Sequence, residues 1–148
     1  MSKTVSPTIR LARLEDAGAL ANLAGQLGYP ATVEQTRRRF EGLGQKPDDN
    51  AVFVAEVDGK ILGWVHVHLY NLLVDDPEAE IGGLIVDETA RGQRIGERLM
   101  QAAEAWTLEK GCSSVYIRSN VIRTRAHEFY KRIGYTIIKN QYAFRKNL

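Results

Sequence analysis

The sequence predicts a mixed α/β sheet, and three observations carry that reading. Short runs alternate apolar and polar residues, as half-buried strands do. Longer stretches between them space their apolar residues three and four apart, as amphipathic helices do. Glycine, proline and aspartate fall at the joints, where turns need them. At 148 residues, with 44% hydrophobic and 26% charged, the chain reads as one domain, 1–148, with a substantial core.

Each element has a local reason. Thr8 to Ala12 alternates and opens the sheet. Asp16 is placed to cap a helix through about Gly25, with Leu20, Leu23 and Leu27 on one face, and Gly28-Tyr29-Pro30 ends it. Thr32, with Glu34 and Gln35 behind it, caps a second helix that stops near Gly42 to Gly44. Ala51 to Val57 and Lys60 to Val67 flank Asp58-Gly59, a pair suited to the positive φ angles of a two-residue hairpin turn. Asp75-Asp76-Pro77 marks another turn, after which Glu80 to Val86 reads as a fourth strand. A long helix runs from about Gly92 to Lys110, closed by Gly111. Val115 to Arg118 is a strand, Thr124 to about Ile133 a helix, and Tyr135 to Lys139 and Tyr142 to Arg145 the last two strands. The order is β-α-α-β-β-β-α-β-α-β-β, with no repeat and no interdomain linker.

The formal charge of +2 is too small to suggest a nucleic-acid or membrane partner. Arg37-Arg38-Arg39 falls on a helix and reads as a solvated face. The single Cys112 has no partner for an internal disulfide and reads as packing. Met1 to Pro7 lacks the apolar core of a signal peptide, and no apolar run approaches the roughly 20 residues of a membrane span. A cytoplasmic location is therefore expected.

The most informative stretch is Arg91-Gly92-Gln93-Arg94-Ile95-Gly96, between a short apolar strand and a long amphipathic helix. A glycine-bearing basic turn that opens a helix is an anion site, because free N–H groups and the positive dipole end point the same way. Gly96 costs the helix about 1 kcal/mol against alanine, which suits a ligand that approaches the backbone closely. There is no Gly-Lys-Ser/Thr phosphate loop and no Gly-x-Gly-x-x-Gly dinucleotide fingerprint.

In element order and in two blocks, Glu80 to Met100 and Arg123 to Tyr135, the chain resembles the GNAT superfamily of N-acetyltransferases. That family opens its central helix with Arg or Gln, two residues, Gly, one residue, then Gly or Ala. Arg91 and Gly96 match the ends, while Arg94 replaces the middle glycine and adds charge near the expected phosphates. The second block, Ala126-His127-Glu128-Phe129-Tyr130 to Gly134-Tyr135, is similar to the family's Ala-x-x-Phe-Tyr-x-x-x-Gly-Phe/Tyr segment. Many members carry an asparagine seven residues before the tyrosine; Arg123 stands there, with Asn120 nearby.

The resemblance implies a seven-stranded, mostly antiparallel mixed sheet flanked by about four helices, and acetyl-CoA as co-substrate. It implies that Gly92, Gln93, Arg94, Ile95, Gly96 and Glu97 cradle the pyrophosphate, with charge from Arg91 and Arg94. Leu84, Ile85 and Val86 would offer main-chain groups to the pantetheine, with Asn120 or Arg123 as a further contact. Gly82-Gly83 fits a bulge or a close backbone approach.

Acetyl transfer to an amine needs a neutral amine and a proton for the departing thiolate. A lysine-like amine is neutral in about one molecule per 10³ at pH 7, a gap of roughly 4.6 kcal/mol, so a base or a desolvating pocket must help. Glu80 resembles the family's general base, or it is a strand-end carboxylate that attracts a cation. His66 and His68, on one face of a strand, compete for the role or are ordinary strand residues. Tyr130 matches the family tyrosine that protonates the sulfur, or it is packing, and His127 lies one turn before it. No metal-ligand pattern is evident. The expected acceptor is a small-molecule or peptide amine, met by the first two helices, Tyr29-Pro30 and a Leu69 to Pro77 loop. The other reading is a non-catalytic acetyl-CoA-binding sensor or partner-binding module on the same fold, and the resemblance allows a homodimer.

Overall fold

A computed structural model describes residues 6–148, so the first five residues of the Met1 to Pro7 segment lie outside the described residues. The chain divides into two compact units, Met1–Ile117 and Arg118–Leu148.

The larger unit is a five-stranded sheet in the order β1(Thr8–Leu11), β2(Asn50–Val57), β3(Lys60–Leu72), β4(Asp75–Val86), β5(Val115–Ile117). The first three pairings are antiparallel, and β4 with β5 is parallel. Parallel neighbours need a long crossover, and α3(Ile95–Glu109) supplies it. Consecutive residues of β3 show what covers each face. A side chain at Gly63 would press on Leu99 and Ile95 of α3, whereas the Trp64 indole N–H donates to the Leu20 carbonyl of α1(Ala17–Leu27) at 3.3 Å. The core between the sheet and α3 includes Val65, Val67, Ile95, Leu99 and Met100, all fully buried.

Local chemistry explains most boundaries. Thr32 Oγ1 accepts the Gln35 N–H and Gln35 Oε1 accepts the Thr32 N–H, both at 3.0 Å, a reciprocal cap for α2(Val33–Gly44). Asp58 (φ 50) and Gly59 (φ 78) form the expected hairpin turn. Asp16 does not cap α1 with its side chain; its carboxylate is taken by the Arg10 guanidinium and the Arg13 N–H.

Two further expectations change in the sheet. The β3–β4 hairpin is longer than its sequence suggests: Leu69 to Pro77 belongs to its arms, and the turn falls at Leu73-Val74. The smaller unit holds α4(Thr124–Arg132) but neither of the two expected strands over 135–148, so the sheet has five strands among the described residues, not seven. β-branched and aromatic residues suit a strand, but a strand exists only where a neighbour takes its backbone groups. Ile137, Ile138, Tyr142 and Phe144 stay exposed instead.

Candidate active site

Strand β4 is where the site begins. β4 pairs with β3 along most of its length but with β5 only over Ala79–Ile81, because β5 ends at Ile117. The β5-side main-chain groups from Gly82 through Leu84, Ile85 and Val86 are therefore not claimed by β5. Between His66 and Val67 the β3–β4 register shifts, and Gly82 is the extra residue of a bulge. A Cβ on Gly82 would lie 2.5 Å from His66 Nδ1, and one on Gly83 would lie 2.9 Å from two Trp64 ring carbons. The glycine pair thus makes room for two rings of the neighbouring strand, a cause that the sequence reading missed.

On the bulged side, Glu80 is 5% exposed, with His68 opposite it on β3 and Tyr116 opposite it on β5. His68 Nε2 stands 2.9 Å from Glu80 Oε1, and His68 Nδ1 stands 3.0 Å from the Leu69 carbonyl oxygen. The His66 ring lies 5.4 Å from that of His68, and its Nε2 is 3.0 Å from Asn50 Oδ1. Asn50 is oriented in turn by its Nδ2 donating to the Lys46 carbonyl. Burial first, and the neighbouring His68 second, push the His66 imidazole down to about 4. His66 is therefore neutral at pH 7 and donates through Nε2. Tyr70 and Tyr116 stack nearly parallel, 5.7 Å apart, where Glu78 and Glu80 pair across to β3 and β5. The rival bases of the sequence reading thus form one cluster in which each has a different bond.

The turn expected to hold an anion is preceded by a well-bonded 3-10 turn. Asp87 Oδ1 accepts the Thr89 hydroxyl at 2.6 Å and the Thr89 N–H at 2.9 Å, which holds the Asp87 carboxyl below the usual range. Gln26 of α1 donates to Asp87 Oδ2 at 3.3 Å and accepts the Glu88 N–H at 3.1 Å, tying this 3-10 turn to the first helix. Sequence reasoning missed this tie between Asp87 and Gln26. Asp-x-Thr was a readable capping signal for Asp87, but nothing local pointed to Gln26.

After an extended Arg91, Gly92 (φ 85) and Arg94 (φ 62, ψ 18) are both left-handed. Helical conformation cannot pass through them, so α3 begins at Ile95 and not near Gly92. Arg94 adopts the conformation that glycine takes most easily. The Arg98 N–H bonds the Arg94 carbonyl at 3.1 Å and opens the helix. The N–H groups of Ile95, Gly96 and Glu97 are consequently not used inside α3. Arg91, Gly92, Gln93 and Arg94 are exposed, while Ile95 is buried and anchors the turn to the core.

In the smaller unit, Asn120 shapes the approach to α4. Its Oδ1 accepts the Ile122 N–H at 3.1 Å and its carbonyl accepts the Arg123 N–H at 3.0 Å. Arg123 is the N-cap residue of α4. Burial raises Tyr130 above the usual phenol range, against a smaller opposite pull from Arg123, so the hydroxyl keeps its proton. His127 Nε2 pairs with Ser119 Oγ at 3.2 Å. Among the described residues there is no cluster of three or more potential metal ligands. No described helix is long and apolar enough to cross a membrane.

Residues 19–135 match the acetyltransferase (GNAT) family. The chain is 31% identical over 134 residues to an uncharacterised N-acetyltransferase of Chlorobaculum tepidum, covering 90% of this chain and 78% of the relative. It is 30% identical to the type 1 aminoglycoside N(6')-acetyltransferase of Stenotrophomonas maltophilia over 149 residues, 97% of this chain and 95% of the relative. The fold is that of an aminoglycoside N-acetyltransferase, AAC(6')-Iy, solved with CoA: TM-score 0.86 at 19% identity, over 100% of this chain and 99% of that one. The two sequence blocks, the left-handed turn ahead of α3 and these matches converge: the chain belongs to the GNAT family and is an N-acetyltransferase.

Proposed function

We propose that the protein transfers the acetyl group of acetyl-CoA to a primary amine of a small molecule or peptide, by direct attack in a ternary complex. The observation that carries this reading is the turn at Gly92 and Arg94, which leaves the Ile95, Gly96 and Glu97 N–H groups outside the helical ladder. Those donors, at the positive end of α3, suit a pyrophosphate, and Arg91 and Arg94 add charge. The main-chain groups of Leu84, Ile85 and Val86 suit the pantetheine amides, with Asn120 or Arg123 as a further contact. The family match over 19–135 spans both compact units and supports a single N-acetyltransferase domain, 1–148. The relative named for aminoglycosides supports a small-molecule amine as acceptor.

Bound acetyl-CoA supplies a thioester carbonyl and a thiol leaving group. Glu80 takes a proton from the incoming ammonium group, so that the nitrogen lone pair can attack. Tyr130, which retains its hydroxyl proton, gives it to the sulfur as the C–S bond breaks and regains one from the acetylated nitrogen; a positioned acid is worth about 10²–10⁴-fold.

A thiol-release assay with acetyl-CoA across amino acids, polyamines, aminoglycosides and peptide N-termini tests the reading. Turnover on an amine is expected, and tight acetyl-CoA binding with no turnover on any of them would instead make the protein a sensor. In the active system, Tyr130→Phe should lower kcat by about 10²–10⁴-fold with acetyl-CoA binding unchanged. Wild-type turnover in that variant removes Tyr130 from the acid role.

A further inference from the structure

We propose that His68 is the positioning residue for Glu80, fixing its carboxylate so that the two handle protons as one unit; this rests on the reading of Glu80 as the base. A count of hydrogens carries the argument. The Leu69 carbonyl can only accept, so His68 Nδ1, 3.0 Å away, bears a hydrogen. On the other side, His68 Nε2 lies 2.9 Å from Glu80 Oε1, a distance that two facing lone pairs do not hold. One proton therefore lies in that contact, on the nitrogen or on the oxygen. The bond is charge-assisted or that of a neutral acid, and in both cases the pair shares a single proton.

Three features separate this contact from an ordinary surface ion pair. His68 and Glu80 are register partners on β3 and β4, so backbone pairing fixes the spacing of their Cα atoms. Their side chains are only 26% and 7% exposed, so water screens the contact little. The imidazole is held at both nitrogens, so it cannot rotate without losing two bonds at once. Neighbouring His66 cannot take over, because its Nε2 is committed to Asn50 and its Nδ1 faces Gly82. The arrangement with the shared proton on His68 Nε2 is the one that leaves Glu80 a carboxylate able to act as base: an N–H bond of the ammonium breaks, an O–H bond forms at Glu80, and the electron pair stays on the amine nitrogen. The proton between His68 and Glu80 remains in place, so no further reactant is needed.

The test pairs kinetics with ¹⁵N NMR of labelled histidine in the full-length protein. His68→Ala should lower kcat about 10- to 100-fold, the range for loss of an orienting partner, with the KM for acetyl-CoA unchanged. His68→Gln, whose amide N–H reaches for the same oxygen, should recover most of that loss. In a Glu80→Gln background His68→Ala should have no further effect. A slow Glu80→Gln enzyme beside a wild-type His68→Ala enzyme, or losses that multiply in the double variant, overturns the role of His68 alone. Wild-type turnover in Glu80→Gln overturns the base reading and the role of His68 with it. The NMR spectrum reads the bond independently of activity: a protonated His68 Nδ1 is expected, and a bare Nδ1 overturns the geometry.

Discussion

The bulge at Gly82 divides β4 into two regions that are built in opposite ways. Below it, Ala79–Ile81 is paired on both edges, and the polar groups around Glu80 are bonded to one another: His68 to Glu80 and Leu69, His66 to Asn50, Asn50 to Lys46. Above it, the chain leads through Asp87 into a turn that leaves three N–H groups of α3 outside the helical ladder. Among the described residues, no buried side-chain nitrogen or oxygen lacks a partner. The contrast follows from physical chemistry. On the proposed reading the lower region transfers a proton, and such a group needs a fixed orientation before substrate arrives, so its bonds are made in advance. On the same reading the upper region meets a phosphate, which brings its own charge and strong acceptors to the N–H groups of Ile95, Gly96 and Glu97. The lower region is therefore sensitive to pH and to packing, and the upper one to backbone conformation.

Acid sharpens that comparison most. His66 is held neutral at about 4 in the fold against 6.5 as a free side chain. Below pH 6.5 the unfolded chain gains a proton that the native state refuses, so stability is intact above 6.5 and declines as pH falls towards 4. The full loss is about 3 kcal/mol for this group. Urea unfolding at pH 7 and pH 4 should show a larger acid loss for the wild type than for His66→Asn, by about that amount. Equal acid sensitivity in the two proteins would mean that His66 is not clamped in its neutral form, and the lower region would lose its rigid character.

Gly82→Ala breaks the same region from the strand side. The added Cβ would sit 2.5 Å from His66 Nδ1, and the ring is tied at Nε2, so it must swing away and release Asn50. Overpacking plus one lost hydrogen bond predicts destabilisation of about 1–3 kcal/mol, with the His66 titration moving back up towards 6.5. A histidine titration by NMR that leaves His66 near 4 would show that the glycine is not what accommodates the ring.

These effects also mark what could be read from the sequence and what could not. The Thr32–Gln35 cap and the Asp58-Gly59 turn are local rules, satisfied within a few residues, and the sequence predicts them correctly. The two glycine-and-tyrosine blocks were equally legible, because a helix-opening turn and an aromatic helix are local objects. The pairing of His68 with Glu80 was not, since two register shifts, at Gly82 and between Tyr70 and Leu72, bracket the pair, and a one-residue slip would have sent them to opposite faces. The same limit explains residues 135–148. Their β-branched and aromatic residues suit a strand, but composition cannot supply the partner strand.

Arg94 offers the smallest effect, and it tests the upper region alone. A non-glycine residue at φ 62 carries a backbone cost of about 1 kcal/mol, which Arg94→Gly removes. The same change deletes a guanidinium from the turn. If the charge serves the pyrophosphate, the variant should be more stable by up to about 1 kcal/mol while its KM for acetyl-CoA rises several-fold, an increase that added salt diminishes. Gln26 and Asp87 hold the turn from behind, so Arg94→Gly should leave kcat unchanged at saturating acetyl-CoA. A variant that gains stability with no change in KM would assign cofactor binding to the N–H groups of Ile95, Gly96 and Glu97. Arg94 would then be a strained replacement for glycine that contributes nothing to affinity. A fall in stability would mean that the left-handed conformation is not where the cost lies, and the upper region would be held by side-chain contacts as the lower one is.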